Sequence, residues 1–117
     1  MRKIYHLSTC NTCQRIIKEL GGLKDFEQQN IKEEKIKANE LDDMKNKSGT
    51  YESLFSRRAM KYRAMGLNEK ELSEKDYRKL ILEEYTFLKR PVILIDDEIF
   101  VGNAKKTIQA AKEKLGL

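Results

Sequence analysis

The sequence predicts a small α/β sandwich, and three observations carry that prediction. The N-terminal part reads strand, helix, strand, with a Cys-x-x-Cys where the first strand hands over to the helix. The C-terminal part reads as a strand hairpin followed by an amphipathic helix. Between them, about residues 38–88, the spacing of apolar residues is helical throughout. At 117 residues the chain reads as one domain, 1–117, large enough for a core without disulfide staples, with the helical stretch as an insertion.

Residues 3–7 are apolar enough for a buried strand. Residues 13–20 follow with helix spacing: Ile16, Ile17 and Leu20 share one face, and Gly21-Gly22 ends the helix. Residues 26–32 predict the second strand. Residues 40–47 predict a short helix, with Asn39 as its cap and Ser48-Gly49 as its stop. Residues 51–65 predict a third helix with Leu54, Phe55, Tyr62 and Met65 on or near one face, closed by Gly66. A polar helical connection, 68–72, leads to Ser73-Glu74-Lys75-Asp76, which resembles a capping box with Asp in the place of Glu or Gln. The helix it opens carries Tyr77, Leu80, Ile81, Tyr85 and Leu88 at helical spacing. After Arg90-Pro91, residues 92–95 form a strand, Asp96-Asp97-Glu98 a turn and residues 99–101 the returning strand. Gly102-Asn103 leads into a last helix whose Ile108, Ala111 and Leu115 face inward.

Lys and Arg number 24 against 19 Asp and Glu, a formal charge of +5. This describes a well-solvated surface of mixed sign, with an anionic partner as the alternative: an oxyanion, glutathione or nucleic acid. No base-reading motif appears and aromatics do not interleave with a basic stripe, so direct nucleic-acid binding is not expected. The longest dense apolar run, Val92-Ile93-Leu94-Ile95, is far short of a membrane span, and no membrane partner is expected. Met1-Arg2-Lys3 runs straight into strand-like sequence, which argues against a secretory signal. These features predict a cytoplasmic protein whose dithiol is kept reduced or cycles.

Cys10 and Cys13 are the only cysteines, and they frame Asn11-Thr12 at the predicted strand–helix junction. That is the layout of a redox dithiol. The first sulfur lies at a helix N-terminus, where unpaired N–H groups and the helix dipole favour an anion, so Cys10 is expected to be more acidic than a free thiol. Cys13 is close enough to attack a mixed disulfide on Cys10 and resolve it. Half a zinc site is the competing reading, but a four-ligand site needs two more Cys or His and the chain offers only His6, so no metal is expected. A pair of inert buried thiols is the other. A permanent structural disulfide is disfavoured, because so short a loop restrains the unfolded chain very little.

Arg90-Pro91 is the second informative feature, with the chain's only proline directly before a buried strand. A β-α-β unit beginning with Cys-x-x-Cys is the thioredoxin arrangement. In such folds a cis-proline faces the dithiol and its backbone holds an incoming peptide or thiol. Pro91 is therefore expected to be cis and to lie against Cys10. Arg90 would then project near the thiol, where a guanidinium lowers the thiolate pKa and clamps an oxyanion in two-pronged fashion. A surface arginine before a strand-starting proline is the plainer alternative.

With these pieces in place, the chain resembles the ArsC/Spx family of thioredoxin-fold proteins along its whole length. The resemblance is carried by Tyr5-His6-Leu7-Ser8-Thr9-Cys10-Asn11-Thr12-Cys13, by residues 54–63, by residues 88–96 and by Phe100-Val101-Gly102. It implies a thioredoxin-like fold with a central helical insertion. It implies either arsenate reduction, with glutathione and glutaredoxin or thioredoxin as reductant and no bound cofactor, or glutathione-dependent thiol reduction. Spx members instead bind the C-terminal domain of the RNA polymerase α subunit and use the dithiol as a redox switch. Carried over residue by residue, Cys10 matches the nucleophile, His6 a histidine that helps acidify it, and Arg90 the arginine before proline. Asn11, Thr12, Pro91 and Arg57 complete the expected substrate-binding set. Arsenate reductases of this type use three arginines around the oxyanion. The first falls here on Ser56, beside Arg57 and Arg58, and the third on Gly102. Cys13 stands where those enzymes often lack cysteine, which makes an internal disulfide possible.

Overall fold

A computed structural model describes all 117 residues. The chain forms two compact units, one built from Met1–Lys35 with Arg90–Leu117 and the other from Ile36–Lys89.

The first unit holds a four-stranded sheet and two helices. In chain order these are β1 (Arg2–His6), α1 (Asn11–Glu19), β2 (Glu27–Asn30), β3 (Val92–Ile95), β4 (Glu98–Val101) and a C-terminal helix, Lys105–Leu115. The sheet order is β2-β1-β3-β4, with β2 parallel to β1 and the other neighbours antiparallel. The parallel pair requires a crossover, and α1 supplies it. Ile4 lies opposite Ile93, and alternation puts both on one face with Ile95. There they meet Ile16 and Ile17 of α1 and Ile108 and Ala111 of the C-terminal helix in one buried cluster. All four residues of β3 are buried, as expected for a central strand.

α1 stops where the sequence changes chemistry. The N–H groups of Gly21 and Gly22 return to the carbonyls of Lys18 and Ile17, at φ of +85° and +88°, where a side chain would be strained. The β3–β4 turn places Asp96 at φ +57°, a conformation aspartate tolerates better than most residues.

The second unit is helical: α2 (Ala38–Ser48), α3 (Met60–Ala64) and α4 (Glu74–Glu83), joined by single 3₁₀ turns; the C-terminal helix of the first unit is α5. Its centre is aromatic. Phe55 stacks on Phe87 at 5.1 Å and meets Tyr77 at 4.9 Å and Tyr62 at 5.9 Å. Arg78 grips Asp42 through two hydrogen bonds of 2.8 and 3.1 Å, and the Tyr51 hydroxyl donates to the same carboxylate.

Two sequence expectations fail in this unit. The helix expected over 51–65 is broken: a 3₁₀ turn covers Glu52–Leu54, and α3 begins only at Met60. The helix expected to run from Ser73 through Leu88 ends at Glu83, followed by a 3₁₀ turn over Tyr85–Phe87. Both breaks have one cause. Phe55 and Leu88 form an antiparallel bridge, flanked by Ser56 N–H to Phe87 O at 2.7 Å and Lys89 N–H to Leu54 O at 2.9 Å. That pairing needs extended backbone at Phe55 and Leu88, which helix excludes. Met65 accordingly stands exposed rather than on an inward face. The start of α2 is also earlier than expected: Lys37 is the N-cap, its N–H donating to Glu40 Oε1, and Asn39 lies inside the helix.

Candidate active site

The site is built at one end of β1. The β1–β3 register sets Tyr5 opposite Val92, so the next residues, His6 on one strand and Pro91 on the other, share that end of the sheet. The Arg90–Pro91 peptide is cis. Pro91 is buried, and its carbonyl accepts from Gly102 N–H at 2.9 Å. From His6 the chain turns through Leu7–Cys10, closed by Cys10 N–H to Leu7 O at 3.1 Å and Gln14 Nε2 to Leu7 O at 3.3 Å. Asn30 donates to Ser8 Oγ at 2.8 Å and pins the same loop to the end of β2.

Cys10 is the N-cap of α1, and its carbonyl takes the first helical bond from Gln14. No acidic side chain occupies the first turn. The helix therefore starts two residues earlier than its apolar spacing suggests, and its N-terminus belongs to the thiol. Cys10 is half-buried and Cys13 fully buried; both are free thiols.

Their environments pull them apart. Burial raises the Cys10 pKa, but hydrogen bonds from the Cys13 backbone and thiol and from the Thr12 backbone, with the charge of Arg90, outweigh it and hold Cys10 below the ordinary thiol value. Burial pushes Cys13 up to about 11, and the bond to Cys10 and its charge push the same way. The same contact thus shifts Cys10 toward the thiolate and Cys13 toward the protonated thiol that donates to it. His6 is buried too, with its Nδ1 lacking a hydrogen-bond partner, and burial holds its imidazole below the usual histidine value.

The structure thus gathers His6, Cys10, Thr12, Cys13, Arg90 and Pro91 within the first unit, with Asn11 exposed in the first turn of α1. Arg57 belongs to the helical unit, where its guanidinium bonds Glu52 at 2.6 Å and the Tyr77 hydroxyl at 2.9 Å. Sequence reasoning missed Gln14 and Asn30, whose amides fix the loop under Cys10. Gln14 one position after the Cys-x-x-Cys, on the first turn of a helix, was the available signal for the first; nothing local marks the second.

The ArsC family profile matches residues 5–111. The chain belongs to the ArsC family. Solved structures agree with this. A possible arsenate reductase from Streptococcus mutans is 27% identical, covers 90% of this ArsC-family chain and 92% of its own, and superposes with a TM-score of 0.73. A protein from Staphylococcus aureus is 25% identical over 94% of this chain and 97% of its own, with a TM-score of 0.76. An arsenate reductase from Vibrio cholerae is 17% identical over 95% of both chains, with a TM-score of 0.73, a likeness of fold alone. No curated protein matches the sequence. The fold of this ArsC-family member is the thioredoxin-like α/β arrangement of these neighbours, and no helix is long and apolar enough to cross a membrane.

Proposed function

We propose that the chain is a thiol–disulfide oxidoreductase of the arsenate reductase type, with Cys10 as nucleophile. The observation that carries this reading is the split between two neighbouring thiols, Cys10 lowered and accessible, Cys13 raised and buried. Family membership supports it.

The Cys10 thiolate attacks the substrate, an oxyanion such as arsenate or the sulfur of a glutathione adduct, and displaces hydroxide or a thiolate. Arg90 and the first-turn N–H groups of α1, at Asn11 and Thr12, hold the negative charge that develops. Pro91 lines the docking edge and His6 offers a neutral ring. Once Cys10 carries the adduct it no longer holds the charge or accepts the bond that raised Cys13. Cys13 then loses its proton more easily and attacks Cys10 sulfur; glutathione is the alternative attacking thiol. The new S–S bond releases two electrons to the leaving group, reducing arsenate to arsenite or freeing glutathione as thiol. Glutaredoxin or thioredoxin returns the two electrons to the disulfide.

An Spx-like reading, in which the same dithiol controls binding to the RNA polymerase α subunit, is favoured by one observation. Ser56 and Gly102 stand where the oxyanion-binding arginines fall in the reductases. Each absent charged hydrogen bond is worth about 1.5–3 kcal/mol to a dianion.

Iodoacetamide labelling of Cys10 across pH, in a Cys13→Ser background and with arsenate or oxidised glutathione present, tests the proposal. A midpoint below that of a free thiol, with protection by either ligand and loss of turnover in Cys10→Ser, is the expected result. An ordinary midpoint without protection refutes the enzyme and turns attention to polymerase binding.

A further inference from the structure

The first unit carries a second charged feature that the dithiol chemistry does not use. A groove of about 560 Å³ runs between α1 and the start of α5, lined by Arg15, Ile16 and Glu19 from one helix and by Asn103, Lys105, Lys106 and Ile108 at the other. Arg15, Lys105 and Lys106 are exposed and make no ion pair or hydrogen bond within the protein. The one acid of the groove, Glu19, is already engaged by Lys112 at 2.9 Å. Its carboxyl is held below the usual range by Lys112, and the charges of Arg15 and Lys105 add to that effect, so cations from both helices reach the same place.

The arrangement conflicts with helix electrostatics. The first turn of a helix favours acids and disfavours cations. α5 has no acid there and opens with Lys105-Lys106, behind an Ala104 N-cap that offers no side-chain acceptor. Folding gains nothing from two lysines at this end. A bound anion would reverse the sign of the interaction and accept from the open N–H groups as well. Local rules broken without a folding gain are expected at functional sites.

We propose that this groove binds a small organic phosphate. Three uncompensated cations, one a guanidinium able to bind two oxygens at once, match a dianion better than a monocarboxylate. The volume falls within the ~300–1,000 Å³ of small-molecule sites and leaves room for a body beyond the phosphate. The exposed Asn103 amide supplies a polar contact for that body.

Isothermal titration calorimetry of the full chain in low-salt buffer with AMP, ribose 5-phosphate and inorganic phosphate tests this. Saturable one-to-one binding of at least one organic phosphate, tighter than inorganic phosphate, is expected. That binding weakens about tenfold or more in Lys105→Gln/Lys106→Gln and in Arg15→Gln. It is unchanged in Cys10→Ser. The two cation variants lie on different helices, so one remains informative if the other fails to fold. Several results overturn the proposal: no saturation by any of the three, equal affinity in the variants, loss in Cys10→Ser, which places the anion at the thiol, inorganic phosphate binding as tightly as the organic ones, or a single-stranded oligonucleotide outcompeting them all.

Discussion

Cys10 owes its acidity to three neighbours, Cys13, Thr12 and Arg90, and the two side-chain contributions, the Cys13 thiol and the Arg90 charge, are open to substitution. Replacing Cys13 by Ser keeps a hydroxyl donor and the backbone bonds; replacing Arg90 by Gln removes the only charge among the groups lowering Cys10. In Arg90→Gln the pH midpoint of iodoacetamide labelling rises toward the ~8.5 of a free thiol, and the direction is checked by labelling rates followed by mass spectrometry. An unmoved midpoint would show that the backbone bonds suffice. His6 makes a second residue-scale prediction. Its folded-state pKa is lowered by burial, so the unfolded chain binds the extra proton first as pH falls. The resulting stability loss is absent above the unfolded value of about 6.5 and grows as pH drops through it toward the folded value. In His6→Gln, which cannot titrate, urea midpoints at pH 7.5 and 5.5 differ less than in the wild type; an equal or larger difference would rule out a buried neutral His6.

Local chemistry explains which elements sequence could deliver. The Ser73 capping box is present in full: Ser73 Oγ accepts from Asp76 N–H at 3.3 Å and Asp76 Oδ2 accepts from Ser73 N–H at 2.8 Å. Ser73→Ala therefore costs about 1 kcal/mol, read as a shift in urea midpoint at constant m-value. The strands β1, β3 and β4 and the two helices of the sheet unit were legible for the same reason, since their periodicity and stops are set by neighbours in sequence. The Cys-x-x-Cys placement and the cis Arg90–Pro91 bond were legible too, because motif and proline are local signals. The breaks in the helical unit were not. Residues 51–65 and 73–88 both read as helix, and only the pairing of Phe55 with Leu88, 33 positions away, forces each to open. Glu84 shows the same competition: its carboxylate accepts from Thr86 N–H and from Lys61, stabilising a turn that an isolated peptide would trade for another helical residue. A long-range bridge leaves no trace in apolar spacing, so propensity loses to tertiary pairing here.

At the scale of the whole molecule, each of the two units has its own centre, and the centres differ in kind. The sheet unit is aliphatic around Ile4, Ile93, Ile95 and Ile108, while the helical unit is aromatic around Phe55. Phe55 is wholly buried and touches three rings, so Phe55→Ala removes both a large volume and its ring contacts, a loss of about 3–5 kcal/mol. Ile93 is equally buried in the central strand pair, and Ile93→Ala costs about 2–5 kcal/mol. Where each loss is felt distinguishes one cooperative protein from two folding units. Native-state hydrogen exchange can follow the amides of β1 and β3 in one unit and of α4 in the other. If the units unfold together, either substitution speeds the slowest amides of both by the same factor. If they unfold separately, Phe55→Ala speeds α4 and leaves β1 and β3 at their wild-type rates. The dithiol and cis-proline lie entirely in the sheet unit, so the second outcome carries a functional consequence: Cys10 keeps its lowered labelling midpoint in Phe55→Ala even as the helical unit opens. The first outcome makes the thiol's acidity and the aromatic core rise and fall together, and a labelling midpoint that shifts with urea only at the global transition is its signature.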